Sequence, residues 1–145
     1  MIKIICPGKI KEVYLREAIE DYKKRISKYH KIEIIEVMDS DINRERELIL
    51  KNINSKDYII TLEIEGNNIS SIELADKIDK TFITNNCITF IIGGSYGLHD
   101  DVKSLSNYKL SFSKMTFPHG LFRLILLEQI YRCFKILNNE TYHKW

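Results

Sequence analysis

Breaks are scarce in this chain: two prolines, six glycines and one tryptophan in 145 residues. Pro7 and Pro118 are far apart, and no Ser/Gly/Pro-rich tract, low-complexity run or internal repeat divides the sequence, so one domain over residues 1–145 is expected. The opening MIKIICPGK has too short an apolar run for a secretory leader, and nowhere is there a run long enough to span a bilayer. A cytoplasmic location with no membrane partner follows as the expectation. Cys6, Cys87 and Cys133 are odd in number, widely spaced and without CxxC spacing. That pattern excludes a disulfide framework and a zinc site, and reads the three as small buried hydrophobes. His119 and His143 have no second His or Cys at ligand spacing, so no metal is expected. GxSxG is missing too, which leaves serine-hydrolase chemistry without a nucleophile.

Acid is absent where base is present. No Asp or Glu lies between Val102 and Leu127, while Lys103, Lys109, Lys114 and Arg123 all do. Residues 102–145 hold seven Lys/Arg against two Asp/Glu, and residues 37–101 hold six against twelve. The overall charge of +2 hides this asymmetry. It suits an anionic partner for one face, nucleic acid first, or else a solvated lysine-rich surface.

Apolar periodicity gives the architecture. Ile2–Cys6 reads as a buried strand, Ile10–Tyr29 as an amphipathic helix, Ile32–Met38 as a second strand and Ile42–Ile53 as a helix capped from Asp39-Ser40-Asp41. Tyr58–Ile64 is a third strand closed by Glu65-Gly66-Asn67-Asn68, and Ser70 with Glu73 forms a capping box for a helix to Phe82. Ile88–Ile92, apolar on both faces, suits the centre of a covered parallel sheet. A short helical segment over Val102–Ser106, a fifth strand over Tyr108–Phe112 and a very apolar helix over His119–Leu137 complete the chain. This is an α/β fold with helices on both faces, and sites belong at the carboxyl ends of its strands. Leu62–Gly66, Gly93–Gly97 and Ser113–Pro118 therefore converge on one edge as a pocket built largely of backbone. On the motif alone, which lacks both GxGxxG and the P-loop lysine, the glycines after the fourth strand read as a plain turn; taken with the other two strand ends they read as part of a backbone-built pocket that a nucleotide can approach. Arg132 has Glu128 four residues back; Arg123 has no partner in its helix, so an anionic ligand or a second subunit is its alternative partner. The apolar surplus of the last helix suggests a two-fold dimer.

Several ordered segments carry a resemblance. Gly8-Lys9 with Lys11-Glu12 and Tyr14, the YKKR of Tyr22–Arg25, Thr61-Leu62-Glu63, Gly93-Gly94 with Gly97-Leu98, LSFSKMTFPH over Leu110–His119, Glu128-Gln129, Tyr131-Arg132 and Tyr142-His143-Lys144 resemble the RlmH family. These are small SPOUT-class methyltransferases acting on a pseudouridine of 23S ribosomal RNA. The resemblance implies a single SPOUT domain with a C-terminal trefoil knot, S-adenosyl-L-methionine as cofactor, and a homodimer working on the large subunit or the assembled ribosome. It places the cofactor against Leu62, Gly93, Phe112, Ser113, Lys114, Met115, Thr116 and Phe117. Arg123, Arg132, Tyr142, His143 and Lys144 are then expected to meet RNA. Catalysis falls to Arg132, Tyr142 and His143, with His143 as candidate proton acceptor for the imide of the target base. Two departures stand out: the connection around Asp39–Asn43 is short for the family, and Trp145 extends its usual ending. The rival functions are an RNA-binding protein without catalysis and a methyltransferase of the same class acting on tRNA.

Overall fold

In the computed structural model, which describes residues 1–144, five strands form one parallel sheet in the order β2-β1-β4-β3-β5. The strands are β1 (Ile2–Pro7), β2 (Ile32–Val37), β3 (Tyr58–Asn68), β4 (Ile88–Ile91) and β5 (Tyr108–Ser111). The helices are α1 (Val13–Ser27), α2 (Ile42–Lys51), α3 (Ser71–Thr84), α4 (Asp100–Lys103) and α5 (His119–Leu137). β1 and β4 are buried along their whole length; their runs are apolar except for Lys3 and Thr89, whose side chains both meet Asp57. Alternate residues of each strand face opposite layers. Ile2, Ile4, Ile60, Phe90 and Leu110 pack beneath α1, α3 and α5, while Ile5, Ile59 and Ile91 pack with Ile49 and Val102 of α2 and α4.

Local chemistry sets most boundaries. The capping box is formed: Glu73 N donates to Ser70 Oγ and Ser70 N to Glu73 Oε1, each at 3.1 Å. Of the three candidate caps before α2, Asp41 is used, accepting from Arg44 N at 2.9 Å, and the β2–α2 connection is only Met38–Asp41. α1 starts three residues later than its periodicity suggests. Gly8 has φ +85°, and Glu12 is still extended, so Lys9–Glu12 form a loop over the carboxyl end of β1. α4 starts earlier than expected because His99 caps it, its Nδ1 accepting from Asp101 N at 3.0 Å.

The larger departure is in β3, which runs to Asn68 rather than ending at Ile64. Leu62 and Asn67 both pair with Leu110, so Glu63–Gly66 are pushed out of the ladder as a bulge. Asn67 Nδ2 donates to Lys109 O at 3.0 Å and Asn68 Nδ2 to Ser111 O at 3.2 Å, and these contacts hold the strand's return. Cys6 and Cys133 are buried thiols, pushed by burial up to about 11 and about 12 respectively; Cys87 is only half-buried. No helix among the described residues is long and apolar enough to cross a membrane.

Candidate functional site: a cleft over the carboxyl ends of the strands

Three loops meet above β3, β4 and β5 and enclose a cleft of about 420 Å³. The β3 bulge contributes Leu62–Glu65, the turn after β4 contributes Gly93, Gly94 and Gly97, and the loop after β5 contributes Phe112, Ser113, Met115, Thr116 and Phe117. Its floor is apolar, from Ile92, Leu98, Leu110 and Phe122. That volume is in the range of small-molecule sites. Phe122 stacks near Phe117 and Phe112, with ring centroids 6.0 and 5.2 Å away, so the first turns of α5 support the loop that precedes them. Ser111 Oγ donates to Ile64 O at 2.9 Å, and Ser113 Oγ accepts from Met115 N at 3.0 Å. These bonds tie the bulge and the β5 loop into one wall.

Seven of the eight residues expected at a cofactor line this cleft: Leu62, Gly93, Phe112, Ser113, Met115, Thr116 and Phe117. Lys114 does not; it is exposed on the outer side of the loop. The role of Gly93 also differs from expectation. A Cβ built on it would lie 2.7 Å from the carbonyl carbon of Gly97 and 3.0 Å from Leu98 N, so the glycine serves the closure of its own turn. The sequence placed Leu62–Gly66 at this edge but gave no sign of the bulge, which has no periodic signature, and Glu63, Ile64, Glu65, Lys103 and His119 were not among the residues expected at the cofactor. Two carboxylates, Glu63 and Glu65, and one ammonium group, Lys103, line the cleft.

Arg123 is not available to RNA. Only 3% exposed, it donates through Nη1 to Glu36 at 2.6 Å and through Nη2 to Gly8 O at 3.2 Å. Its sequence partner was out of sight because Glu36 lies on β2, 87 residues away. Its true role is to pin α5 to the carboxyl ends of β1 and β2.

The tail forms a second constellation. Arg132 pairs with Glu128 at both carboxylate oxygens, at 3.2 and 3.0 Å, and Tyr142 donates to the same carboxylate at 2.8 Å. Burial and the hydrogen bond to Glu128 push the Tyr142 hydroxyl well above the usual phenol range. Arg132 Nη1 lies 3.1 Å from His143 Nδ1. A guanidinium has no lone pair to offer, so Nδ1 accepts, and a neutral His143 carries its proton on Nε2. Tyr142 packs edge-on against Tyr131 at 5.0 Å, and Lys144 is exposed. Trp145 lies outside the described residues. None of Arg132, Tyr142, His143 or Lys144 lines the cleft of the same chain. Arg132 stands about 15 Å of helix beyond Phe122, the last cleft residue of α5.

A parallel α/β sheet with a cleft at its strand ends, walled by three loops and of small-molecule size, belongs to the class of folds that hold a nucleotide-like ligand at that edge. Residues 1–143 match the family described as "Predicted SPOUT methyltransferase". The chain belongs to that family and is an S-adenosylmethionine-dependent methyltransferase. It is 52% identical, over 157 aligned positions, to "Ribosomal RNA large subunit methyltransferase H" of Clostridium botulinum (strain Loch Maree / Type A3), covering 99% of each protein. A protein of that name from the Kyoto strain is 51% identical over the same shares. Among solved structures, "a probable methylase family protein" from Haemophilus influenzae Rd KW20 superposes with TM-score 0.59 at 15% identity, covering 99% of this chain and 70% of that one. The tRNA (m1G37) methyltransferase of Aquifex aeolicus gives 0.54 at 15% identity, over 90% and 69%. At such identities the superpositions speak for the fold alone.

Proposed function

We propose that this protein methylates N3 of a pseudouridine in 23S ribosomal RNA, within the large subunit or the assembled ribosome, and that it acts as a cytoplasmic homodimer. The observation that carries this reading is the full-length similarity to proteins named for large-subunit RNA methylation, joined to a cleft whose wall is the Phe112–Phe117 loop. S-adenosylmethionine, when bound, supplies an electrophilic methyl on a sulfonium. Glu63 and Glu65 complement that positive charge, while Leu62, Met115 and Phe117 supply apolar wall and the loop backbone reads the adenine edge. The trefoil knot of the family is part of this reading; the segment after β5 crosses above the strand ends to reach α1, where Gly120 sits against Ile10 and Leu15.

The acceptor nitrogen carries an imide proton that passes to solvent water as the sulfonium methyl is transferred, leaving S-adenosylhomocysteine, and a positive environment stabilises the imide anion. Lys144 supplies that positive charge, while Arg132, already paired with Glu128, orients His143. The role expected of His143 as proton acceptor changes with this geometry: its Nδ1 is engaged by Arg132, and in the neutral ring Nε2–H is a donor to a carbonyl or phosphate of the RNA. Because the tail of one chain lies well away from its own cleft, a second copy must bring the two together. Val13 and Tyr14 at the start of α1 are 55% and 71% exposed, and Leu121 of α5 is 39% exposed, which gives an apolar strip for a two-fold contact. With two α5 helices antiparallel across that axis, each tail approaches the other chain's cleft.

Mass spectrometry of 23S rRNA nucleosides from cells with and without the gene tests the reaction. N3-methylpseudouridine should vanish on deletion and return with the wild-type gene. Its persistence would overturn the assignment. Sedimentation should find a dimer, and a monodisperse monomer would remove the shared-site reading.

A further inference from the structure

Behind the glycine turn lies a carboxylate that the reaction above does not use. Glu45, in the first turn of α2, is 3% exposed although glutamate belongs at the surface. Ser40 N donates to its Oε2 at 2.9 Å. Its carboxyl group abuts Gly94: a Cβ built there would lie 2.5 Å from Oε1 and 2.9 Å from Oε2. Gly94 in turn lines two cavities, the cofactor cleft and a smaller one of about 240 Å³ on the β1–α1 side. His119 is likewise common to both.

We infer that Glu45 is a positioning residue for methyl transfer, fixing the Gly93–Gly97 turn against the cofactor by seating its carboxyl group under Gly94. The inference rests on the cofactor reading of the cleft. A buried acid with a single backbone donor is an expensive way to fill space, and an apolar side chain would serve packing better. What the carboxyl group adds is a fixed distance: Ser40 N holds one oxygen, and the other oxygen stops Gly94 from sinking toward α2. Burial pushes its pKa up, with Asp39 alongside adding to the rise and Ser40 N opposing it. An amide of the same shape keeps both the oxygen that Ser40 N meets and the atom beneath Gly94, so it should replace the carboxyl group.

Calorimetry with S-adenosylmethionine and amide exchange of the free dimer test this together. Glu45→Gln should bind within about threefold of wild type, whereas Glu45→Ala should bind at least about tenfold more weakly, with faster exchange confined to residues 93–98. Gly94→Ala should weaken binding similarly, and the pair Gly94→Ala with Glu45→Asp, which withdraws the carboxylate by one methylene, should recover most of the loss. Wild-type binding by Glu45→Ala, or faster exchange spread across the sheet, overturns the inference. If Glu45→Ala does not fold, absence of recovery in the paired variant overturns it. A wild-type protein that failed to bind S-adenosylmethionine would instead sink the cofactor reading, and the exchange arm would still decide the role of Glu45.

Discussion

Arg123→Met separates two accounts of one residue. An arginine in the basic third suggests a phosphate contact, but the structure buries it against Glu36 and the carbonyls of Pro7 and Gly8. Methionine keeps the apolar stem and removes the charge. The lost hydrogen bond to a carboxylate is worth roughly 1.5–3 kcal/mol, and an orphaned carbonyl costs about 1–3 more. The first figure shrinks here, because the Glu36 side chain is 38% exposed and water can reclaim it. There is also relief, since Arg123 Nε is buried without a partner and its desolvation no longer has to be met. The net expectation is a loss of about 2 kcal/mol, or about 4–8 °C in melting temperature for a domain this size. Urea unfolding should show a lower midpoint at unchanged slope. The salt dependence of RNA binding by the folded variant should equal that of wild type, whereas loss of a phosphate contact would reduce its slope by about one. Unaltered stability with a shallower salt slope would refute the structural account and restore Arg123 to the RNA face.

Three further outcomes are expected. Lys3 and Asp57 form a pair at 2.9 Å with side chains 7% and 4% exposed; burial opposes the Asp57 charge, but Lys3, Asn54 N and Thr89 outweigh it and lower its pKa. Its stabilisation is therefore fully present above the unfolded value of about 3.9 and is lost as pH falls through the folded value, so acid unfolding should flatten in Asp57→Asn, which should also cost roughly 3–5 kcal/mol at neutral pH. Gly93→Ala, forced within 2.7 Å of Gly97 backbone, should weaken S-adenosylmethionine binding by about tenfold or more in calorimetry, and normal binding would show that the turn can open freely. Removing Tyr142–Trp145 should leave folding and cofactor binding nearly intact while methyl transfer to ribosomes collapses; full turnover would make the tail a frayed terminus.

What the sequence showed and what it hid divide along contact range. Strand and helix identities, the Ser70–Glu73 box and the meeting of three strand ends were legible, because each depends on neighbours within a few residues or on the general rule for parallel sheets. Boundaries failed where a turn outweighed periodicity, as at Lys9–Glu12. The loop that walls the cleft was legible apart from Lys114, whose exposure depends on which way one residue of an irregular loop turns. The Glu63–Gly66 bulge was hidden because it arises from a register shift against β5, a strand more than 40 residues on. Arg123 was misread for the same reason, its partner Glu36 being remote in the chain.

The tail makes the harder case. Its residues were picked out correctly as a polar and aromatic group, and Arg132, Tyr142 and His143 do assemble around Glu128. Yet that assembly is rigidly tied to the far half of α5, and a helix holds its two ends apart by length alone. If chemistry needs both the cleft and the tail, the distance cannot be closed by a side-chain rotation. Unfastening the tail would sacrifice the Glu128 bonds and leave that half-buried carboxylate with Arg132 alone. Antiparallel pairing of two α5 helices closes the gap without breaking any of these contacts. On this reasoning a mixed dimer is decisive: one chain carrying Gly93→Val and the other lacking residues 142–145 retains one intact site, whereas both changes on one chain, paired with wild type, damage both. Activity in the first mixture near half of wild type, and near zero in the second, is the expected result. The reverse order would mean that each chain serves its own cleft, and the tail must then move.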